Sequence, residues 1–221
     1  FLAKALLIAV FSIFLIIVSQ FNNITAPFII MVSVLLSTIG VFLGLVAFNM
    51  DFVVIMTMVG IIALAGIVVN NAIVLIDFIE LTRRRRRKEL GLGEDERLPM
   101  DEVVDSIITA GRTRLRPVLL TAITTILGLV PLAVGLNIDF IGAFVGYSAD
   151  FYVGGDNVVF WGPMSWTIIF GLTFATFFTL IMVPTMYLLA DRLLLKIAKW
   201  RGQVDVIDMS DHSSEIPKVL A

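Results

Sequence analysis

Apolar runs about as long as a membrane is thick alternate with short polar breaks along most of this chain. A helix needs about 20 apolar residues to cross the hydrocarbon layer of a bilayer. Backbone amides and carbonyls cannot stay unpaired in lipid, so each such run is predicted to be a helix rather than a strand. The short breaks predict antiparallel neighbours. The five runs that qualify are residues 2–20, 28–48, 53–79, 117–137 and 164–190.

Composition narrows the class of protein further. Of the 221 residues, 59% are hydrophobic and only 15% are charged, whereas soluble domains are about a quarter charged. The absence of cysteine excludes disulfides and thiolate metal sites, and the net charge of −2 predicts no nucleic-acid partner. His212 is the one histidine and lies in a polar tail. We therefore expect an all-α membrane protein whose partner is the lipid bilayer. We expect it to hold no metal or other cofactor and not to be an enzyme.

The basic residues predict how the chain is oriented. Of the 16 lysines and arginines, only Lys4 precedes the run Arg83–Lys88, and none falls within 138–163. Lysine and arginine accumulate on the cytoplasmic side of membrane proteins. We therefore expect residues 82–116 and the C-terminus to be cytoplasmic, and the N-terminus and residues 138–163 to face outward.

The long cytoplasmic connection is predicted to have two parts. The polar stretch that begins at Arg83 is typical of a linker. Residues 99–110 then predict a short amphipathic helix, which we expect either to lie along the membrane interface or to pack against the ends of the spans. The transmembrane domain is predicted to cover residues 1–200. The polar residues 201–221 predict a disordered cytoplasmic tail.

A few polar side chains lie inside the spans, where lipid makes them costly. Asn70 and Asn71 stand together in the third span, and Asp77 follows Asn70 by two helical turns. Thr121 likewise follows Arg114 by two turns in the fourth span. We expect the asparagine face to meet the Arg114 face. The alternative is that these groups only hold helices together, at about 1 kcal/mol per interhelical hydrogen bond.

Glycines predict where helices approach closely. Gly40 and Gly44 lie four residues apart in the second span, and Gly60 and Gly66 lie in the third. Small residues at such spacings are typical of helix interfaces in membranes.

Three stretches together resemble one transporter family. They are GIVVNNAIVLIDF, RLRPVLLTAITTILGLVPLAVG and GLTFATFFTLIMVPTMYLL, in that order. They resemble the C-terminal half of resistance–nodulation–division (RND) transporters of the acriflavine-resistance, hydrophobe/amphiphile efflux type. The resemblance covers roughly residues 1–195. It implies an RND-type transmembrane bundle in the bacterial inner membrane, which works as a homo-oligomer and exchanges protons for substrates in multidrug efflux.

The resemblance also implies roles for single residues. Asn70 falls where the family's archetype has an intramembrane lysine, and Asn71 matches its neighbouring asparagine. Arg114 and Thr121 match an arginine and a threonine of the family's proton relay. The acids of that relay belong to the N-terminal half of such a transporter, which these residues do not include, as they do not include its periplasmic domains. The four residues would then be polar partners of the relay, with Asp77 as a further candidate.

A second class of function stays open at this point. The chain could be a membrane scaffold that binds lipid or another protein without transporting anything. Its paired amides would then serve packing alone.

Overall fold

The protein is a bundle of long helices, seen in a computed structural model that describes residues 1–21, 25–93, 98–138 and 151–200. All five helices within these ranges are long and apolar enough to cross a membrane, which confirms the predicted all-α membrane fold. A short antiparallel ribbon, which the sequence did not predict, joins the last two helices. In chain order the elements are α1 (Leu2–Phe21), α2 (Thr25–Ala47), α3 (Val54–Glu89), α4 (Met100–Val134), β1 (Leu136–Ile138), β2 (Phe151–Val153) and α5 (Asp156–Trp200).

The chain divides into two compact units, Phe1–Leu188 and Leu189–Ala221. The first unit holds the packed core of the bundle. Of the second unit, the described part is the last portion of α5. The predicted tail, residues 201–221, lies outside the described residues, as do residues 139–150 of the predicted outward loop.

Two helices continue beyond their predicted ends. α3 has 36 residues and runs through the arginine cluster, where a linker was expected. Arginine and lysine are good helix formers, and their charge is favourable near a helix C-terminus. α4 has 35 residues and begins at Met100, so the amphipathic segment is helical as predicted but is continuous with the fourth span.

α3 is the central helix of the bundle. One of its faces is buried along the whole span, and it contributes to both hydrophobic clusters of the core. Every other helix also contributes side chains to the clusters, so the bundle packs around this face of α3. The fully or nearly fully buried side chains of this face include Ile61, Leu64, Val68, Leu75 and Ile79.

Two glycines of α2 allow α5 to approach closely. A Cβ at Gly40 would overlap the side chain of Phe174, and a Cβ at Gly44 would overlap that of Phe170. The phenylalanines are four residues apart, as the glycines are, so each ring is placed over one glycine. This confirms the close approach predicted for the pair. Gly66 differs, because a Cβ there would meet nothing within 4 Å.

An arginine network holds the start of α4 against the end of α3. The Arg86 guanidinium donates to Glu102 Oε2 at 2.7 Å, to Glu89 Oε2 at 3.0 Å and to Asp105 Oδ2 at 3.2 Å. Single surface ion pairs contribute little, but one guanidinium shared by three carboxylates makes a network. The buried residues of the amphipathic segment are Val103, Ser106, Ile107 and Ala110, so this face of the segment packs on protein.

Replacing Gly44 by valine should destabilise the bundle. The added side chain collides with Phe170, and such overpacking typically costs about 1–3 kcal/mol. Unfolding of the reconstituted protein by titration with sodium dodecyl sulfate measures the change in free energy. Gly111→Ala is the matched control, because that glycine lies within α4 with no atom near its Cβ position. The control should be neutral or stabilising by up to about 1 kcal/mol; equal losses in both variants would contradict the contact.

Candidate functional site

The face of α3 opposite the core is a stripe of small and polar side chains that no described helix covers. Asn70 and Asp77 are both exposed on it, two turns apart. Exposed positions recur every three or four residues, which is the helical period. The members of this outward stripe, as we call it, are Val59, Ala63, Gly66, Asn70, Val74 and Asp77.

α4 has two different exposed faces. Along its apolar ridge the exposed side chains are Leu120, Ile123, Leu127, Val130 and Val134. Along its hydroxyl face they are small or polar, namely Pro117, Thr121, Thr124, Gly128 and Pro131. Large aliphatic side chains suit acyl chains, whereas small and hydroxyl-bearing residues are enriched where membrane helices meet one another. The two faces of α4 are thus suited to lipid and to protein, respectively.

Arg114 marks the place where α3 and α4 meet. Its Cζ lies 4.3 Å from the ring centroid of Phe78, close enough for a cation–π contact. The Arg114 Nε is buried and has no hydrogen-bond partner among the described residues. Phe78 directly follows Asp77, and Thr121 lies two turns from Arg114 along α4. The outward stripe and the hydroxyl face therefore flank the same α3–α4 seam.

The threonines of the hydroxyl face present acceptors. Thr121 Oγ1 donates to the carbonyl of Val118 at 2.9 Å, and Thr124 Oγ1 donates to that of Leu120 at 2.8 Å. A hydroxyl that donates its hydrogen bond to a carbonyl of its own helix can still accept hydrogen bonds through its oxygen lone pairs. This face can therefore accept hydrogen bonds from groups outside the described chain.

The predicted site residues do not gather at one point. Asn71 is buried, with 9% of its surface exposed, whereas Asn70 points outward. Within the described ranges, no hydrogen bond joins either amide to Arg114 or Thr121, and Arg114 contacts Phe78 instead. α3 and α4 do pack together as expected, but the residue of α3 that contacts Arg114 is Phe78 and not an asparagine.

Sequence reasoning missed Phe78. An aromatic residue one position after an intramembrane acid, with an arginine at the entrance of the next span, was the available signal. Asparagine and threonine can donate and accept hydrogen bonds but do not titrate near neutral pH. The seam therefore offers a cation, amides and hydroxyls, with Asp77 as its carboxylate. In the described part of the chain, no cluster of His, Cys, Asp or Glu could hold a metal ion.

Replacing Phe78 by leucine should destabilise the seam. The change keeps an apolar side chain but removes the π face under the Arg114 guanidinium, and a desolvated cation–π contact contributes about 1–2 kcal/mol. Detergent-induced unfolding in reconstituted membranes measures the loss. Phe11→Leu is the matched control, since that ring is 57% exposed on α1. Similar stabilities of the two variants would show that the ring does not hold the guanidinium.

Comparison with known proteins places the chain among membrane transporters. A family model described as the AcrB/AcrD/AcrF family matches residues 2–142. Swarming motility protein SwrC of Bacillus subtilis (strain 168) is 36% identical over 186 residues, which are 84% of this chain and 15% of SwrC. Multidrug resistance protein MdtC of Erwinia tasmaniensis is 27% identical over 188 residues, which are 85% of this chain and 15% of MdtC.

A solved structure is similar as well. The crystal structure of a heavy metal efflux pump matches with a TM-score of 0.61 and 28% identity, over 86% of this chain and 15% of the pump. The chain thus spans about 15% of the length of each of these three relatives.

Proposed function

Because the chain belongs to the AcrB/AcrD/AcrF family of RND efflux transporters, we propose that it forms the membrane part of a proton-driven pump and supplies polar partners to the proton relay. The relatives named above include a multidrug resistance protein and a heavy metal efflux pump. Efflux is therefore the activity proposed for the whole protein.

The outward stripe is the observation that supports this proposal most directly. An exposed amide and an exposed carboxylate on a membrane helix are costly in lipid and normally face protein or a water-filled cavity. Asn70 and Asp77 have neither in the described chain, and the neighbouring face of α4 carries hydroxyls and small residues. A second membrane segment, seated along the α3–α4 seam, would satisfy both faces at once.

That segment would carry the titrating acids. A carboxylate can cycle its proton only when desolvation, which raises its pKa, is balanced by a nearby cation or hydrogen-bond donors, which lower it. Arg114 would be the cation, because Asn70 stands where the family's archetype has a lysine. Asn70, on α3, would donate a hydrogen bond to the carboxylate of that segment. Thr121, on α4, would accept a hydrogen bond from the acid when it is protonated. Asp77 lies nearer the arginine-rich end and would exchange protons there.

The same proposal assigns topology and partners. The arginine-rich ends of α3 and α4 would lie in the cytoplasm and the N-terminus of α1 in the periplasm, as the distribution of basic residues favours. The partners would be the N-terminal half and periplasmic domains of a transporter, and further copies of it in a homo-oligomer.

Substitutions in the seam test the relay in the complete transporter. Proteoliposomes with an imposed pH gradient report substrate efflux together with proton movement through a trapped pH dye. Arg114→Gln should reduce coupled efflux by at least tenfold, because the loss of one charge-assisted hydrogen bond is worth about 1.5–3 kcal/mol. Asn70→Asp should shift the pH dependence of efflux, because it places a further acid beside the titrating acids of the relay.

Thr121→Val and Thr185→Val form a matched pair for the same assay. Both hydroxyls donate to a carbonyl of their own helix, but Thr185 lies on α5, outside the seam. Only Thr121→Val should change the pH dependence. The relay assignment is wrong if Asn70→Asp and Arg114→Gln both leave efflux and its pH profile unchanged. Stable, folded variants of that kind would instead favour a packing role for the amides.

A further inference from the structure

The arginines of the segment RTRLRP, residues 112–117, point in two directions. Arg114 is half-buried over Phe78, whereas Arg112 and Arg116 are exposed. On a helix, residues four apart lie one above the other, about 6 Å apart. Arg112 and Arg116 therefore form a pair on one face of α4, turned away from the contact that Arg114 makes.

This arginine pair has no counterion within the described chain. No ion pair or hydrogen bond joins either guanidinium to another described residue. The positions three and four residues before and after each arginine contain no acid. The nearest carboxylates on α4, Glu102 and Asp105, are held by Arg86. Like charges one turn apart repel each other. An anion bound between the two guanidiniums would offset this repulsion, which no described carboxylate offsets.

The apolar ridge of α4 begins directly beyond the arginine pair. Leu120 lies four residues after Arg116, on the same side of the helix, and is 63% exposed. The ridge ends at Val134, and the 18 residues from Arg116 to that point rise about 27 Å, close to the roughly 30 Å of a hydrocarbon layer. No charged residue interrupts this stretch. A phosphate at the arginine pair would therefore place attached acyl chains along the ridge.

We propose that Arg112, Arg116 and the apolar ridge of α4 bind an anionic phospholipid. The two guanidiniums bind the phosphate of the headgroup, and the ridge from Leu120 to Leu127 contacts the acyl chains of that leaflet. Arginine is suited to phosphate because its planar fork donates several hydrogen bonds at once. This site uses a different exposed face of α4, about 100° around the helix from the hydroxyl face. None of its residues takes part in the proposed proton relay.

A lipid titration of the native protein in detergent tests the site. Native mass spectrometry counts bound phosphatidylglycerol and, in parallel, bound phosphatidylcholine, and gives a dissociation constant for each. The wild-type protein should bind phosphatidylglycerol more tightly. Each loss of a basic residue near a headgroup weakens binding roughly fivefold, so Arg112→Gln with Arg116→Gln should weaken phosphatidylglycerol binding by about 20-fold or more and leave phosphatidylcholine binding nearly unchanged.

Charge-matched variants separate a built site from general attraction. Arg85→Gln with Lys88→Gln removes the same charge from exposed positions on α3 and should leave the dissociation constant within about twofold of wild type. Arg112→Lys with Arg116→Lys keeps the charge and should retain most of the binding. If the double glutamine variant does not fold, each single variant should still show the loss of roughly fivefold expected of one basic residue.

Three results would overturn the proposal. The first is equal binding of the two lipids to the wild-type protein. The second is an equal loss of phosphatidylglycerol in the α3 control, which would indicate attraction to basic charge in general. The third is complete displacement of phosphatidylglycerol by inorganic phosphate, which would show that the apolar ridge contributes nothing.

Discussion

The one-sided burial of α3 is the constraint on which the rest of this structure depends. One face of the helix joins both hydrophobic clusters, so its position is set by packing along the whole span. The opposite face keeps an amide and a carboxylate without cover from the described chain. In water such a face would need no explanation. In a membrane it needs a polar neighbour, because lipid offers no hydrogen bonds.

The two exposed faces of α4 follow from the same constraint. The hydroxyl face continues the polar character of α3 across the seam, and the apolar ridge suits acyl chains. Arg114 lies between the helices because its guanidinium can stack on Phe78 there. Arg112 and Arg116, one helical turn apart, cannot share that contact and remain exposed on another face of α4. Protein recognition, lipid contact and helix packing are thus separated by direction around one helix.

Much of this fold was readable from residue patterns. The apolar runs predicted five spans, and the glycine pair of α2 predicted a close helix contact that Phe170 and Phe174 provide. Helix ends were less predictable, because hydropathy detects the part of a helix that crosses lipid and not its continuation into water. α3 and α4 extend past their apolar runs because the added residues are good helix formers and because ion pairs form around Arg86. Two of those ion pairs, from Arg86 to Glu102 and to Asp105, join residues that are 16 and 19 positions apart in sequence.

The sequence by itself determined the membrane class, the number of spans and the polar residues inside them, because hydropathy and composition are local properties of the chain. Only the tertiary structure decided which way each polar group points. Asn70 and Asn71 are adjacent in sequence, yet one is exposed and the other buried. A helix turns by about 100° per residue, so neighbours in sequence meet different environments. Which environment each one meets depends on where the other helices pack.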